Sequence, residues 1–129
     1  MNRVSIRILI AAAASLAVIS AANAASPTKT ATTSKGPTLT DSGGMSLYTF
    51  DKDSDGKSAC NGPCVANWPV LKAEASDQPG DGYSIITRDD GSKQWAYKGK
   101  PLYTFVKDQK AGDITGDGFL NGVWHLAQP

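Results

Sequence analysis

The chain has 129 residues, is 40% hydrophobic and 19% charged, and carries a formal net charge of +1. Two of its 13 basic residues, Arg3 and Arg7, fall in the N-terminal segment, and the rest are scattered singly among 12 acidic residues. That distribution argues against nucleic acid or an anionic membrane as partner, because either favours a clustered basic face.

In chain order, the first segment reads as an export signal. Arg3 and Arg7 form a positive region, Ile8 to Ile19 is apolar, and Ala22-Asn23-Ala24 fits small-x-small cleavage. An apolar run of this length falls short of the ~20 residues a membrane-spanning helix needs. Residues 1–24 are therefore expected to be a signal peptide. With no cysteine near that point to accept lipid, no membrane insertion is expected after cleavage. The processed protein is expected to be periplasmic or secreted. Residues 25–37 are rich in Ala, Ser, Thr and Lys without a large apolar side chain, which predicts a flexible leader. A single compact domain is expected over 38–129.

Within that domain the hydrophobic pattern has period two. Ser46, Tyr48 and Phe50 alternate with Leu47 and Thr49, and Tyr83 to Arg88 alternates in the same way. Asp89-Asp90-Gly91 turns the chain into Lys93 to Tyr97, and Lys98-Gly99 turns it again into Leu102 to Val106, predicting an antiparallel meander. Pro63 suits the start of a short helical turn over 63–67. No stretch after the signal sustains a 3.6-residue period, so the expected class is all-β and antiparallel, with one short helical turn beside the cysteines.

One segment occurs twice. Leu47-Tyr48-Thr49-Phe50-Asp51-Lys52-Asp53 returns as Leu102-Tyr103-Thr104-Phe105-Val106-Lys107-Asp108. A tryptophan follows each copy, Trp68 and Trp124, within Trp68-Pro69-Val70-Leu71 and Trp124-His125-Leu126-Ala127. This predicts two pseudo-equivalent halves, about 38–72 and 83–129, each offering a Tyr/Phe strand and a Trp strand to a shared core. Positions five apart on a strand face opposite ways. The expectation is that each tyrosine packs inward while the aspartate five residues on caps the following loop.

The tandem Tyr-x4-Asp pattern, Tyr48 with Asp53 and Tyr103 with Asp108, with an aromatic two residues after each tyrosine (Phe50, Phe105), resembles a bacterial secreted-repeat family. Lys100-Pro101-Leu102-Tyr103, Gly116-Asp117-Gly118 and Trp124-His125 resemble it too. The resemblance covers nearly all of the processed chain and implies little about activity, since that family is one of undetermined function.

Three constellations could carry chemistry. Cys60 and Cys64, in an exported chain, are expected to form a disulfide worth about 2 kcal/mol on the chain-entropy model. Alternatively, Cys60, Cys64 and His125 could bind copper, for which two thiolates and an imidazole are suitable ligands. Calcium is suggested by Asp51, Asp53 and Asp55, which match the first half of an EF-hand loop; Asp113 and Asp117 show part of the same spacing. Gly62 and Trp124 stand where the closing glutamate belongs, so ordinary turn chemistry competes with calcium. No nucleophile elbow or phosphate loop occurs. The expectation is a non-enzymatic structural or binding protein of the envelope with no cofactor, its partner an envelope protein or small ligand. Metal binding is the alternative, and thiol–disulfide exchange a third.

Overall fold

A computed structural model describes residues 26–129. Its elements are β1 (Lys29–Thr33), β2 (Gly36–Thr40), β3 (Tyr48–Phe50), α1 (Pro63–Asn67), β4 (Tyr83–Thr87), β5 (Lys93–Tyr97), β6 (Lys100–Pro101), α2 (Phe119–Gly122) and β7 (Trp124–Leu126). All strand pairings are antiparallel: β1 with β2, β3 with β7, and β4-β5-β6 as a meander. The expected β-rich class, the meander and the short helix at 63–67 are all present. The expected signal peptide lies outside the described residues.

Two expectations are corrected. The supposed leader is not featureless, since β1 and the start of β2 occupy it as a hairpin. Its threonines suit a pleated strand, and Thr38, Leu39 and Thr40 are buried at the end of the hairpin. Absence of large apolar residues was a poor guide there, because the hairpin packs through β2 rather than β1. The second correction concerns Leu102 to Val106, which is not a continuous strand. Only Lys100–Pro101 is regular, and Tyr103 makes isolated bridges to Tyr48 and to Val70.

Those bridges set the architecture. Tyr48 and Tyr103 exchange backbone hydrogen bonds, N–H of Tyr48 to O of Tyr103 at 2.7 Å and the reverse at 3.0 Å. A pseudo-two-fold axis therefore passes between the two tyrosines. Around it the closing segments are crossed, although only the second is a strand: Trp68 caps α1 and Val70 makes an isolated bridge where a strand was expected. Tyr48 of the first repeat pairs with Leu126 of the second, and Tyr103 of the second bridges Val70 of the first. Neither motif segment pairs with the closing segment of its own half.

The repeated segment is buried on both faces. Tyr48, Tyr103, Phe105, Trp68, Trp124, Leu126 and Cys60 form one apolar cluster. On the other side Leu47 and Leu102, both fully buried, join Leu39, Ala73, Trp95 and Ala127 in a second. Alternation along a strand puts neighbouring residues of one motif into different clusters, which ties the two together.

α2 is helical in name only. Leu120 (φ 53°, ψ 56°) and Asn121 (φ 61°, ψ 33°) are left-handed, and Gly122 continues at φ 83°. Gly116 just upstream has a packing reason to be glycine. A Cβ there would stand 2.8 Å from the Trp68 ring and 3.0 Å from that of Phe105.

Candidate functional site: the crossed tyrosine–aspartate pairs

Each motif tyrosine pairs with the aspartate of the other repeat. The Tyr48 hydroxyl donates to Oδ2 of Asp108 at 2.6 Å, and the Tyr103 hydroxyl donates to Oδ2 of Asp53 at 2.7 Å. The second carboxylate oxygen caps the local loop, as expected for both aspartates. Asp53 Oδ1 accepts from the Ala59 N–H at 2.6 Å; Asp108 Oδ1 accepts from the Thr115 N–H at 3.0 Å and its hydroxyl at 2.5 Å. Chain bending after Phe50 and Phe105 lets each aspartate turn back toward the axis, where the other repeat's phenol waits.

The tyrosines are fully buried. Burial pushes both phenols well above their usual pKa, reinforced for Tyr48 by the hydrogen bond to Asp108, and for Tyr103 opposed by Ser58 and supported by Asp53. Burial also raises the Asp53 carboxyl above the ordinary range, against the pull of the Ala59 N–H, Tyr103 and Arg88. Each phenol thus holds its proton firmly and presents it to a carboxylate oxygen.

Behind the two pairs the surroundings differ. Tyr48 accepts from the Gly116 N–H at 3.2 Å. Tyr103 meets Ser58 Oγ at 2.6 Å, and Arg88 Nη1 donates to that oxygen at 2.9 Å. Arg88 is 6% exposed and also donates to Gln94 Oε1 at 2.7 Å, to Asn61 Oδ1 at 3.1 Å and to the Cys60 carbonyl. Gln94 in turn donates to the Leu102 carbonyl at 2.8 Å. Every buried side-chain nitrogen and oxygen among the described residues has a partner. Sequence reasoning missed Arg88, Ser58 and Gln94. An arginine at a strand end reads as a surface residue, and only the topology brings it under the disulfide loop.

Between the tyrosines stands a column of four rings, alternating between repeats. Phe50 stacks on Trp124 (4.2 Å, 13°), Trp124 on Trp68 (3.7 Å, 3°) and Trp68 on Phe105 (4.0 Å, 18°). Tyr48 meets Trp68 edge-on at 5.4 Å, and Tyr103 meets Trp124 edge-on at 5.1 Å. The two edge-on contacts fall at separations where aromatic pairs attract beyond simple burial, by about 0.5–1.5 kcal/mol each.

The metal readings find no common centre. Cys60 and Cys64 are bonded to each other. His125 lies on β7, its Nε2 2.8 Å from Asp51 Oδ2 at the surface. Asp53 serves Tyr103 and Ala59, and the Asp55 carboxylate folds over Gly99, where it would overlap any Cβ. Asp113 caps Gln109 and Lys110, while Asp117 accepts from the Leu126 N–H and from Lys35. No group of three or more His, Cys, Asp or Glu converges among the described residues. The acidic loops follow turn geometry, as their Asp and Gly content allows.

Solvent-facing clefts border this core. One of about 370 Å³ sits between Asp51–Asp55 and the Lys98-Gly99-Lys100 turn, and another of about 230 Å³ is lined by Tyr97, Lys100, His125 and Gln128. A third, of about 410 Å³, has a floor of Val65 and Val70 and a rim of Asn61, Arg88, Asp89 and Asp90.

No curated protein and no solved structure matches the chain. A family model, described as a secreted repeat of unknown function, matches residues 29–72 and 84–128. Its first repeat opens at Lys29, the first residue of β1, in keeping with a folded hairpin there. No helix among the described residues is long and apolar enough to cross a membrane. With two matched repeats that together span most of its length and interlock through their own motif residues, the chain belongs to the Lipoprotein_15 family of secreted repeats.

Proposed function

We propose that the protein is a non-enzymatic module of the bacterial envelope, periplasmic or secreted, that binds an envelope protein or small ligand or serves a structural role. The observation that carries this reading is the closure of the motif. Tyr48, Tyr103 and Asp108 are buried, Asp53 is half-buried, and their polar atoms meet partners within the protein. The repeated residues thus act as framework, and recognition falls to the loops and clefts around them.

The test compares two pairs of substitutions in the exported full chain. Tyr48→Phe/Tyr103→Phe is expected to lower the unfolding midpoint. Lys98→Ala/Lys100→Ala is expected to leave that midpoint in place and to weaken capture of whatever cross-links to the protein in intact envelopes. A tyrosine variant that keeps full stability but loses capture would make the motif itself the binding site and overturn the reading.

A further inference from the structure

We propose that the core of this protein is a relay for single oxidising equivalents, in which the stacked Trp68–Trp124 pair gives up an electron and Tyr48 or Tyr103 restores it while passing its proton to the aspartate of the opposite repeat. This reading is independent of the binding role.

Three features meet in one place. The two indoles lie 3.7 Å apart and 3° from parallel, so a positive charge on one is shared with the other. Each indole has a tyrosine edge-on at 5.4 or 5.1 Å. Each tyrosine already donates its hydroxyl hydrogen to a carboxylate, at 2.6 and 2.7 Å. A phenol that loses an electron becomes a strong acid and needs a base at once. Here the base stands in hydrogen-bond contact, on a residue that cannot drift because its other oxygen holds a loop N–H. A buried phenol needs an acceptor in any case, and here that acceptor is a carboxylate, which is also a base.

The electron and proton inventory closes. A one-electron oxidant, of the peroxide-derived radical class to which an exported protein is exposed, takes one electron from the indole pair and leaves a radical cation. One electron then passes from Tyr48 to the pair, and its proton moves to Oδ2 of Asp108; Tyr103 and Asp53 offer the same route. The pair is neutral again, the tyrosine is a neutral radical and the aspartate a carboxylic acid. A one-electron donor of the thiol or ascorbate class reduces the phenoxyl radical, and the proton returns. Trp68 is 2% exposed and Trp124 fully buried, with Phe50 stacked on Trp124 and Phe105 on Trp68, so water is held off while the radical exists. Half-buried Phe50 is the thin wall through which the electron leaves.

The experiment is flash photolysis of the full chain with a photogenerated ruthenium(III) polypyridyl oxidant, followed by transient absorption and freeze-quench electron paramagnetic resonance. The parent carries Tyr83→Phe/Tyr97→Phe, so that only the motif tyrosines remain. An indole radical that decays into a tyrosyl radical is expected. In Tyr48→Phe/Tyr103→Phe the tyrosyl signal is lost, the indole radical lives several-fold longer and oxidised Trp68 and Trp124 accumulate in peptide maps. Asp53→Asn/Asp108→Asn keeps every ring but removes the proton acceptors; tyrosyl formation slows and its dependence on heavy water changes. No tyrosyl signal in the parent overturns the relay whether or not the variants fold. So does an indole radical that decays equally fast with and without the motif tyrosines.

Discussion

The two crossed pairs occupy equivalent places in the repeats yet are braced in different ways. Tyr48–Asp108 is held by short-range contacts of one loop, the Thr115 N–H and hydroxyl and the Gly116 N–H. Tyr103–Asp53 is held through Ser58 by Arg88, a buried cation that also grips the disulfide loop and, through Gln94, the meander. The comparison teaches that the duplicated frame and its bracing answer to different demands. Pseudo-symmetry is kept where four rings and two strands must interleave, and abandoned where one half must be tied to a loop and a sheet that the other lacks. One pair is secured by a single loop, the other by a side-chain hub.

The largest way to break the comparison is to remove what both halves share. Trp124→Ala should cost about 3–5 kcal/mol, since a large buried ring is lost from the middle of the column. Urea unfolding would measure it, and a small cost would mean that the column is not the common core.

Alkali should act on both halves together. Both phenols are raised, so the folded state keeps protons that the unfolded chain releases above about pH 10. Unfolded chain therefore binds fewer protons, and stability falls as pH rises through that region, by about 1.4 kcal/mol per pH unit for each tyrosine. Denaturation midpoints taken across that range should drop steeply, and Tyr48→Phe/Tyr103→Phe should flatten the drop.

Arg88→Met separates the halves. It leaves Gln94 Oε1 and Asn61 Oδ1 without the Arg88 donor, and Ser58 Oγ and the Cys60 carbonyl with weaker contacts to each other's groups, at a cost of about 2 kcal/mol. In that background Tyr103→Phe should cost less than in the wild type, while Tyr48→Phe should cost the same. The smallest effect is expected at Lys35→Ala. Lys35 Nζ lies 2.6 Å from Asp117, but the lysine is mostly exposed, and such pairs are worth about 0–1 kcal/mol.

Much of the frame was legible in the sequence, because period-two alternation and turn residues act locally. β5 runs from Lys93 to Tyr97 and α1 from Pro63 to Asn67, where alternation and an early proline place them. The loop-capping role of Asp53 and Asp108 was legible for the same reason. The crossing was not. Alternation tells which face a side chain takes, not which strand lies opposite, so nothing in Tyr48 to Asp53 says that its phenol meets Asp108. The β1–β2 hairpin escaped because threonine carries strand preference without hydrophobicity. Arg88 escaped because the segment that covers it, the disulfide loop, lies far away in sequence.

Double-mutant cycles on stability test the crossed arrangement most directly, pairing Tyr48→Phe with Asp108→Asn and, separately, with Asp53→Asn. The account predicts a coupling of about 0.5–3 kcal/mol for Tyr48 with Asp108, and additivity within about 0.5 kcal/mol for Tyr48 with Asp53, its own motif partner. Coupling confined to Tyr48 and Asp53 would contradict it and restore two self-contained repeats.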